Sequence, residues 1–266
     1  SEQHYTDHGR VADSLRIAFQ PQFCAQKPAV ALRGGYEPNC LTKPVIELVR
    51  EHGVDPRILQ PSIEALKAVE QWADGALGYV TITFRETALL VDEHTGTHAE
   101  RERVADVVAH ENAHMWFGDL VTMSWWNGLW LNEAFATFME MLAVDAWKPE
   151  WKRWDAFGVS RAAAFSVDGL LSTRPIEYPV RAPKDADAMF DVLTYEKGAS
   201  VLRMLEQHIG PAVFRDGVRA YLRAHAYGNA DTKDLWVSLG QAAKQPVPEL
   251  MDGWIFQPGY PLVSAR

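Results

Sequence analysis

A chain of 266 residues, 47% of them apolar and 23% charged, can form one large domain or two small ones around a hydrophobic core. Its formal charge of -9 disfavours nucleic-acid binding, and the lack of a basic run disfavours binding to an anionic membrane surface. The polar first ten residues do not resemble a secretory signal, and no apolar run approaches membrane-spanning length. We therefore expect a cytoplasmic protein, although a processed secreted chain would share these features.

The N-terminal part of the chain, residues 1–78, is a segment of uncertain structure. Residues 1–41 mix proline, glycine and short apolar runs, a composition typical of irregular structure. Residues 43–53 and 61–75 carry apolar side chains at helical spacing, which predicts two short helices. We expect this segment to pack on a domain formed by residues 79–266.

The two cysteines, Cys24 and Cys40, do not have the spacing of a redox motif or a zinc finger. The sequence leaves both a disulfide and two free thiols open.

The pattern after residue 78 predicts an α+β domain that is mainly helical with a small mixed sheet. In residues 80–85, apolar residues alternate with threonine or arginine, which predicts a strand. Residues 101–117 then form an amphipathic helical pattern whose apolar face we assign to Val104, Val107, Val108 and Met115. Further helical patterns cover residues 132–146, 150–165, 188–208, 211–225, 232–243 and 247–255.

A His-Glu-Asn-Ala-His sequence lies in the first of these helical patterns, at residues 110–114. Residues four apart lie one turn apart on the same face of a helix, so His110 and His114 can direct imidazole nitrogens at one ion. Glu111, one position around the helix, can face the same cleft without being a ligand. This is the arrangement of two zinc ligands and a general base.

Glu133 is the candidate for a third ligand. Eighteen residues separate it from His114, and Gly118 and Gly128 in this connection allow the chain to turn and return. A catalytic zinc needs three protein ligands and an open position for water. The same histidine pattern also occurs in helices that bind nothing, but the apolar face, the later carboxylate and the tryptophan-rich connection favour one Zn²⁺ at His110, His114 and Glu133.

The remaining polar and aromatic residues of this region have simpler interpretations. We expect four tryptophans to pack in the core first and to line a cleft second: Trp116, Trp125, Trp126 and Trp130. We expect Asp106, Asp119 and Glu140 to be solvated or to support the site indirectly. Seven histidines lack ligand spacing and are interpreted as surface or structural residues: His4, His8, His52, His94, His98, His208 and His225.

The stretch HENAHMWFGDLVTMSWWNGLWLNEAFA closely resembles the catalytic core of the M1 family of zinc aminopeptidases, a gluzincin family. The later stretch AMFDVLTYEKGASVLRMLEQHIG is similar to the family segment that carries a catalytic tyrosine, which would be Tyr195 here. The ending MDGWIFQPGYPLVSAR is similar to the close of the family's catalytic domain. The resemblance spans residues 79–266, with three motifs in the family's order.

This resemblance implies a thermolysin-like fold, in which a small mixed sheet lies over a mainly helical half. It implies zinc on His110, His114 and Glu133, with Glu111 as general base and Tyr195 as a hydrogen-bond donor to the transition state. The chemistry agrees, because zinc lowers the pKa of its bound water to about 7 and a nearby carboxylate can then take the proton. A phenol can donate to the developing oxyanion.

The chain departs from the family pattern in two ways. The family's Gly-x-Met-Glu-Asn motif, whose glutamate holds the substrate's amino group, is absent: Leu77, Gly78 and Tyr79 follow Ala76. An ammonium group without an anionic partner is costly to desolvate, so we expect weaker selection for a free N-terminus. The family's β-rich and helical flanking domains also have no counterpart here, which predicts a more open cleft.

Three functions follow from these residues. The first is a zinc metallopeptidase that hydrolyses peptides, with its preference between chain ends and internal bonds left open. The second is a zinc hydrolase of non-peptide amides, esters or epoxides. The third is an inactive peptide-binding fragment, which the presence of both Glu111 and Tyr195 disfavours because a structural zinc site needs neither. The oligomeric state is not indicated by the sequence.

Overall fold

The computed structural model describes residues 17–18, 81–82, 84, 86–89, 91–92 and 94–265. By its internal contacts the chain divides into two units, residues 1–112 and 113–266. The described part is mainly helical with two short two-stranded sheets, which confirms the mainly helical character expected from the sequence. None of the helices in these ranges is both long and apolar enough to cross a membrane.

The first unit contains one small sheet and two described helices. Strand β1, Ile17–Ala18, pairs antiparallel with β2, Thr81–Ile82. A helical turn α1, Glu86–Leu89, and the long helix α2, His98–Ala113, follow. The strand prediction for residues 80–85 is thus confirmed at Thr81–Ile82. The helices predicted at 43–53 and 61–75, and both cysteines, lie outside the described residues.

Helix α2 begins earlier and ends earlier than the pattern at residues 101–117 predicted. Its start is set by Thr97, because the Thr97 hydroxyl accepts from the backbone N–H of Glu100 while the Glu100 carboxylate accepts from the backbone N–H of Thr97. Val104 and Val108 are buried as expected, but Val107 and Met115 are only half-buried. The buried stripe is completed by three small alanines that allow close packing: Ala105, Ala109 and Ala113.

The second unit is built around one buried helix. Its described elements, in chain order, are β3 (Val121–Met123), a 3-10 turn (Trp126–Gly128), α3 (Trp130–Trp147), a 3-10 turn (Pro149–Trp151), α4 (Arg153–Asp168), α5 (Pro183–Asp187), a π-helical turn (Leu193–Lys197), α6 (Gly198–Ile209), α7 (Pro211–Ala224), β4 (Gly228–Ala230), α8 (Thr232–Ala243) and α9 (Val247–Ile255). Helices α8 and α9 have the predicted bounds, and α3, α4 and α7 agree within three residues. The predicted helix 188–208 is divided: residues 188–192 form turns, and the regular helix begins only at Gly198.

Strands β3 and β4 form a parallel pair that the sequence did not predict. Val121 lies opposite Gly228, and Met123 lies opposite Ala230. Each strand has only three residues, which is too short for an alternating pattern to show.

Helix α3 forms the centre of this unit because most of its side chains are apolar and buried. Phe135 stacks on Phe117 with ring centroids 4.4 Å apart, and Phe138 packs against Phe214 at 5.4 Å. Such aromatic pairs add about 0.5–1.5 kcal/mol beyond the burial of their area. They hold the chain that follows α2, and helix α7, against α3.

The tryptophan prediction is half wrong. Trp116 and Trp130 are buried in the core as expected, but Trp125 is 57% exposed and Trp126 is 42% exposed. Both exposed rings belong to the connection before α3, where the chain runs over the surface. Trp125 is nonetheless held in place, since its indole N–H donates to the Val180 carbonyl at 2.9 Å.

Candidate metal centre

Three side chains converge on a site of metal-ligand geometry. His110, His114 and Glu133 each offer one ligand atom, and these atoms all lie within 4.8 Å of one another. All three residues are half-buried, which leaves them reachable from solvent. It is the one such group of three or more histidine, cysteine or acidic residues in the part of the chain that the structure describes.

His114 is oriented by the backbone that follows it. Its Nδ1 lies 3.1 Å from the carbonyl oxygen of Phe117, and a carbonyl can only accept, so Nδ1 carries the proton of this hydrogen bond. In the neutral ring the lone pair is then on Nε2, which lies 3.2 Å from Oε2 of Glu133. A metal-ligating histidine commonly donates the N–H of its other ring nitrogen to a backbone carbonyl in this way, which fixes the orientation of the ring.

The turn after His114 depends on a glycine. Gly118 has φ +142°, in the region that favours glycine. A Cβ at this position would also lie 3.2 Å from the carbonyl oxygen of His114. This glycine, with the Phe117–Phe135 stack, directs the chain from His114 back to the first turn of α3.

Glu133 lies in the first turn of α3, where the helix dipole favours a negative charge. Its backbone N–H donates to the Leu129 carbonyl at 3.1 Å, so its position is set by the helix start. Three residues earlier, the indole N–H of Trp130 donates to Thr232 Oγ1 at 3.1 Å and to Glu177 Oε2 at 3.3 Å. The prediction that Glu133 follows a returning chain at the start of the next helix is therefore confirmed.

Glu111 is half-buried in the last turn of α2, next to His110 in the chain. Asp119 is the first acidic residue after His114 in the sequence. Burial raises the pKa of Asp119, and the nearby His114 partly opposes that rise. The proposed roles of Glu111 as base and Asp119 as a supporting residue stay predictions.

Tyr195 lies in the π-helical turn that precedes α6 and is half-buried. This turn packs against α3. A Cβ on Gly198 would lie 2.6 Å from Cβ of Ala134, the residue that follows Glu133. The segment with Tyr195 is thus placed beside the helix with Glu133, while the hydrogen-bonding role of the Tyr195 phenol stays a prediction.

Sequence reasoning did not identify Arg174 or Asp191, which form an ion pair at 2.6 Å at the start of the Tyr195 turn. No local spacing signals this pair, because seventeen positions separate the two residues. The histidines assigned to the surface agree where they are described: His94, His98 and His208 are exposed. His225 is half-buried, 4.0 Å from an oxygen of Asp234, whereas His4, His8 and His52 lie outside the described residues.

His110 in the last turn of α2, His114 in the turn that follows it and Glu133 in the first turn of α3 define a mainly helical protein with a candidate metal site of two histidines and one glutamate. Comparison with known families then identifies the particular family. Residues 62–254 match the Peptidase family M1 domain, and the chain belongs to that family.

Three relatives illustrate the similarity. The chain is 46% identical to Aminopeptidase M1 of Arabidopsis thaliana over 222 residues, 83% of this chain and 25% of that protein. It is 46% identical to Leucyl aminopeptidase of Saccharolobus solfataricus over 200 residues, 74% of this chain and 25% of that protein. It is 43% identical to Probable aminopeptidase 1 of the same organism over 244 residues, 90% of this chain and 30% of that protein. The chain therefore spans about a quarter of the length of these curated relatives.

Proposed function

We propose that this chain is the catalytic domain of a zinc metallopeptidase that hydrolyses peptides in the manner of an aminopeptidase. The observation that carries this proposal is the convergence of His110, His114 and Glu133 in a chain of the M1 family. Two imidazole nitrogens and one carboxylate oxygen are ligands that zinc accepts, and three protein ligands leave a position open. The names of the relatives support peptides as the substrate class. We further propose that the domain is thermolysin-like.

When bound, zinc would supply a water of lowered pKa and would polarise the carbonyl that is attacked. The carboxylate of Glu111 takes the proton from the attacking water and later passes it to the leaving amine. The Tyr195 phenol donates a hydrogen bond to the carbonyl oxygen as that oxygen gains negative charge. Glu111 and Tyr195 both stand at the sequence positions where the family motifs have the base and the tyrosine. A purely structural metal site would need neither residue, so their presence supports an active hydrolase.

The substrate's free amino group has no assigned partner. Residues 76–79 lack the family's Met-Glu-Asn sequence and lie outside the described residues. We propose that the preference for a free N-terminus is weak, because an uncompensated ammonium group gains little from entering a cleft. A peptide amide and its N-acetylated counterpart should therefore be hydrolysed at similar rates. A strong preference for the free amine would show that another carboxylate has taken over this role.

The test of the proposed function combines metal analysis with a single substitution. We expect about one zinc per chain, loss of hydrolysis on chelation and its return on addition of zinc. Glu111→Gln should keep zinc and lower kcat by about 10²- to 10⁴-fold, because the amide cannot accept the proton. A folded protein without zinc, or full activity of Glu111→Gln, would contradict the proposal.

A further inference from the structure

Residues 173–177, called here the anchor segment, run between two parts of the second unit. One end is bonded to the start of α3, which carries Glu133. The other end is bonded to the start of the turn that carries Tyr195. None of the three residues that make these bonds, Arg174, Glu177 and Asp191, has a role in the proposed hydrolysis.

The Glu177 carboxylate holds the start of α3. Its Oε1 accepts from the Asn127 amide at 2.6 Å, in the 3-10 turn just before α3. Its Oε2 accepts from the indole N–H of Trp130 at 3.3 Å and from the Thr232 hydroxyl. Trp130 and Thr232 are buried, so these hydrogen bonds are shielded from water.

The Arg174 guanidinium holds the start of the Tyr195 turn. Its Nη2 donates to Asp191 Oδ1 at 2.6 Å, to Thr194 Oγ1 at 2.9 Å and to the Met189 carbonyl at 3.3 Å. Its Nη1 donates to two carbonyls of the anchor segment itself, at 2.8 and 3.1 Å. The side chain is 15% exposed, and its planar fork joins the anchor segment to residues 189–194.

Asp191 links the Arg174 side chain to the backbone of Tyr195. Its Oδ1 also accepts from the backbone N–H groups of Leu193 and Thr194, at 2.9 and 3.2 Å. Its backbone carbonyl accepts from the N–H of Tyr195 at 3.1 Å. Arg174 therefore orients the carboxylate that satisfies the free N–H groups at the start of the turn, and the turn sets the backbone of Tyr195.

We propose that Arg174 is a positioning residue for Tyr195: through Asp191 and Thr194 it fixes the turn, and through the anchor segment it ties that turn to the helix of Glu133. This inference rests on the proposed function, in which the Tyr195 phenol donates to the carbonyl oxygen. A displacement of about 1 Å in a reacting group can lower a rate by about a hundredfold. Loss of Arg174 should therefore lower kcat and leave KM nearly unchanged.

The kinetic test is a double-mutant cycle in the zinc-loaded protein, with Arg174→Gln, Tyr195→Phe and both together. Tyr195→Phe should lower kcat by about a hundredfold or more. Arg174→Gln alone should lower kcat by about ten- to a hundredfold, and adding it to Tyr195→Phe should change kcat by no more than about twofold. Arg174→Lys, which keeps the charge but not the fork, should fall between Arg174→Gln and the parent.

A binding measurement reads the same effect without turnover. A phosphinic peptide mimics the tetrahedral state of the attacked amide, so its oxygen should accept the hydrogen bond from Tyr195. Calorimetric titration should show about tenfold or greater weakening by Arg174→Gln in the parent and little weakening in the Tyr195→Phe background. Zinc content should stay equal in all variants, because none of them removes a proposed ligand.

Arg203→Gln is the matched control, since Arg203 also pairs with a carboxylate, but both Arg203 and Glu206 lie on α6, after the turn has ended. It should leave kcat and phosphinic-peptide affinity unchanged. Three results would overturn the positioning role of Arg174 and leave the proposed function standing. They are an equal decrease in kcat by Arg174→Gln in both backgrounds, an unchanged kcat, or a loss of zinc from Arg174→Gln. No effect of Tyr195→Phe would overturn the role of Tyr195 and this inference together. If Arg174→Gln does not fold, Arg174→Lys replaces it in the same double-mutant cycle with Tyr195→Phe.

Discussion

Helix α2, which carries His110 in its last turn, and the turn that carries Tyr195 are held in different ways. Helix α2 is started by Thr97 and Glu100, three residues apart, and it carries His110 in its last turn, four residues before His114. The Tyr195 turn is held by Arg174, and it ends where Gly198 meets Ala134 on another helix.

This contrast explains why a short stretch of sequence predicts the histidines of the candidate site but not the position of the Tyr195 turn. Spacing along one helix predicts which face two side chains share. The placement of a turn by partners far along the chain leaves no periodic signal. Four substitutions, in order of decreasing expected effect, test how far the two regions differ.

Glu133→Ala should have the largest effect, on metal binding. Even residues that only support a metal ligand change affinity by about 10- to 100-fold when removed, so loss of a ligand should exceed about a hundredfold. Glu140→Ala, two turns later on the same helix, should keep the parent's affinity. Zinc titration against a chelating dye measures both, and equal affinity in the two variants would remove Glu133 from the ligand set.

Lys197→Met should have the largest effect on stability. The Lys197 ammonium lies 2.7 Å from Asp168 Oδ2 and donates to the Gly259 carbonyl at 3.0 Å, and both charged side chains are buried. Removing one partner of a buried pair leaves the other charge uncompensated, which costs about 3–5 kcal/mol. Lys148→Met, which breaks a partly exposed pair with Glu150, should cost no more than about 1 kcal/mol. Urea unfolding compares the two, and similar losses would show that burial does not decide the cost.

Gly198→Ala tests the close contact between the Tyr195 segment and α3. A Cβ there would lie 2.6 Å from Cβ of Ala134, so the two helices must separate at a cost of about 1–3 kcal/mol. Because the shift occurs beside both Glu133 and Tyr195, kcat should fall as well. Gly253→Ala on α9 is the control, since no atom beyond its chain neighbours and the backbone of its own helix lies within 4 Å of the position that its Cβ would take, and it should be neutral or slightly stabilising. Unchanged stability of Gly198→Ala would show that this contact is loose.

Thr97→Ala should have the smallest effect, because it removes one local cap from α2. The melting temperature should fall by about 2–4 °C with kcat unchanged, and Thr97→Ser, which keeps the hydroxyl, should restore it. Hydrogen bonds from Thr97 lower the pKa of Glu100 below its ordinary value. The contribution of the cap is therefore present near neutral pH and is lost as the pH falls through that lowered value. Thermal unfolding at neutral and acid pH measures this, and a difference that grew in acid would contradict the capping role.

Much of the helical part could be predicted from the sequence. Helices α8 and α9 were predicted with their observed bounds, because apolar residues recur at helical spacing between clear start and stop residues. The His-Glu-x-x-His pattern and Glu133 likewise predicted three side chains that the structure brings together. Errors occurred where burial depends on a distant neighbour: Trp125 and Trp126 are exposed, and Met115 lies beyond the end of α2.

By itself, the sequence determined which residues share the face of a helix and which carboxylate follows the histidine pair at the start of the next helix. Those properties depend on local backbone geometry, which repeats every 3.6 residues. Only the tertiary structure decided that β3 pairs with β4, that Arg174 bonds Asp191 and Thr194, and that Gly198 lies against Ala134. Contacts of this kind join residues far apart in the chain, so their free energy depends on the packed whole and not on any short sequence pattern.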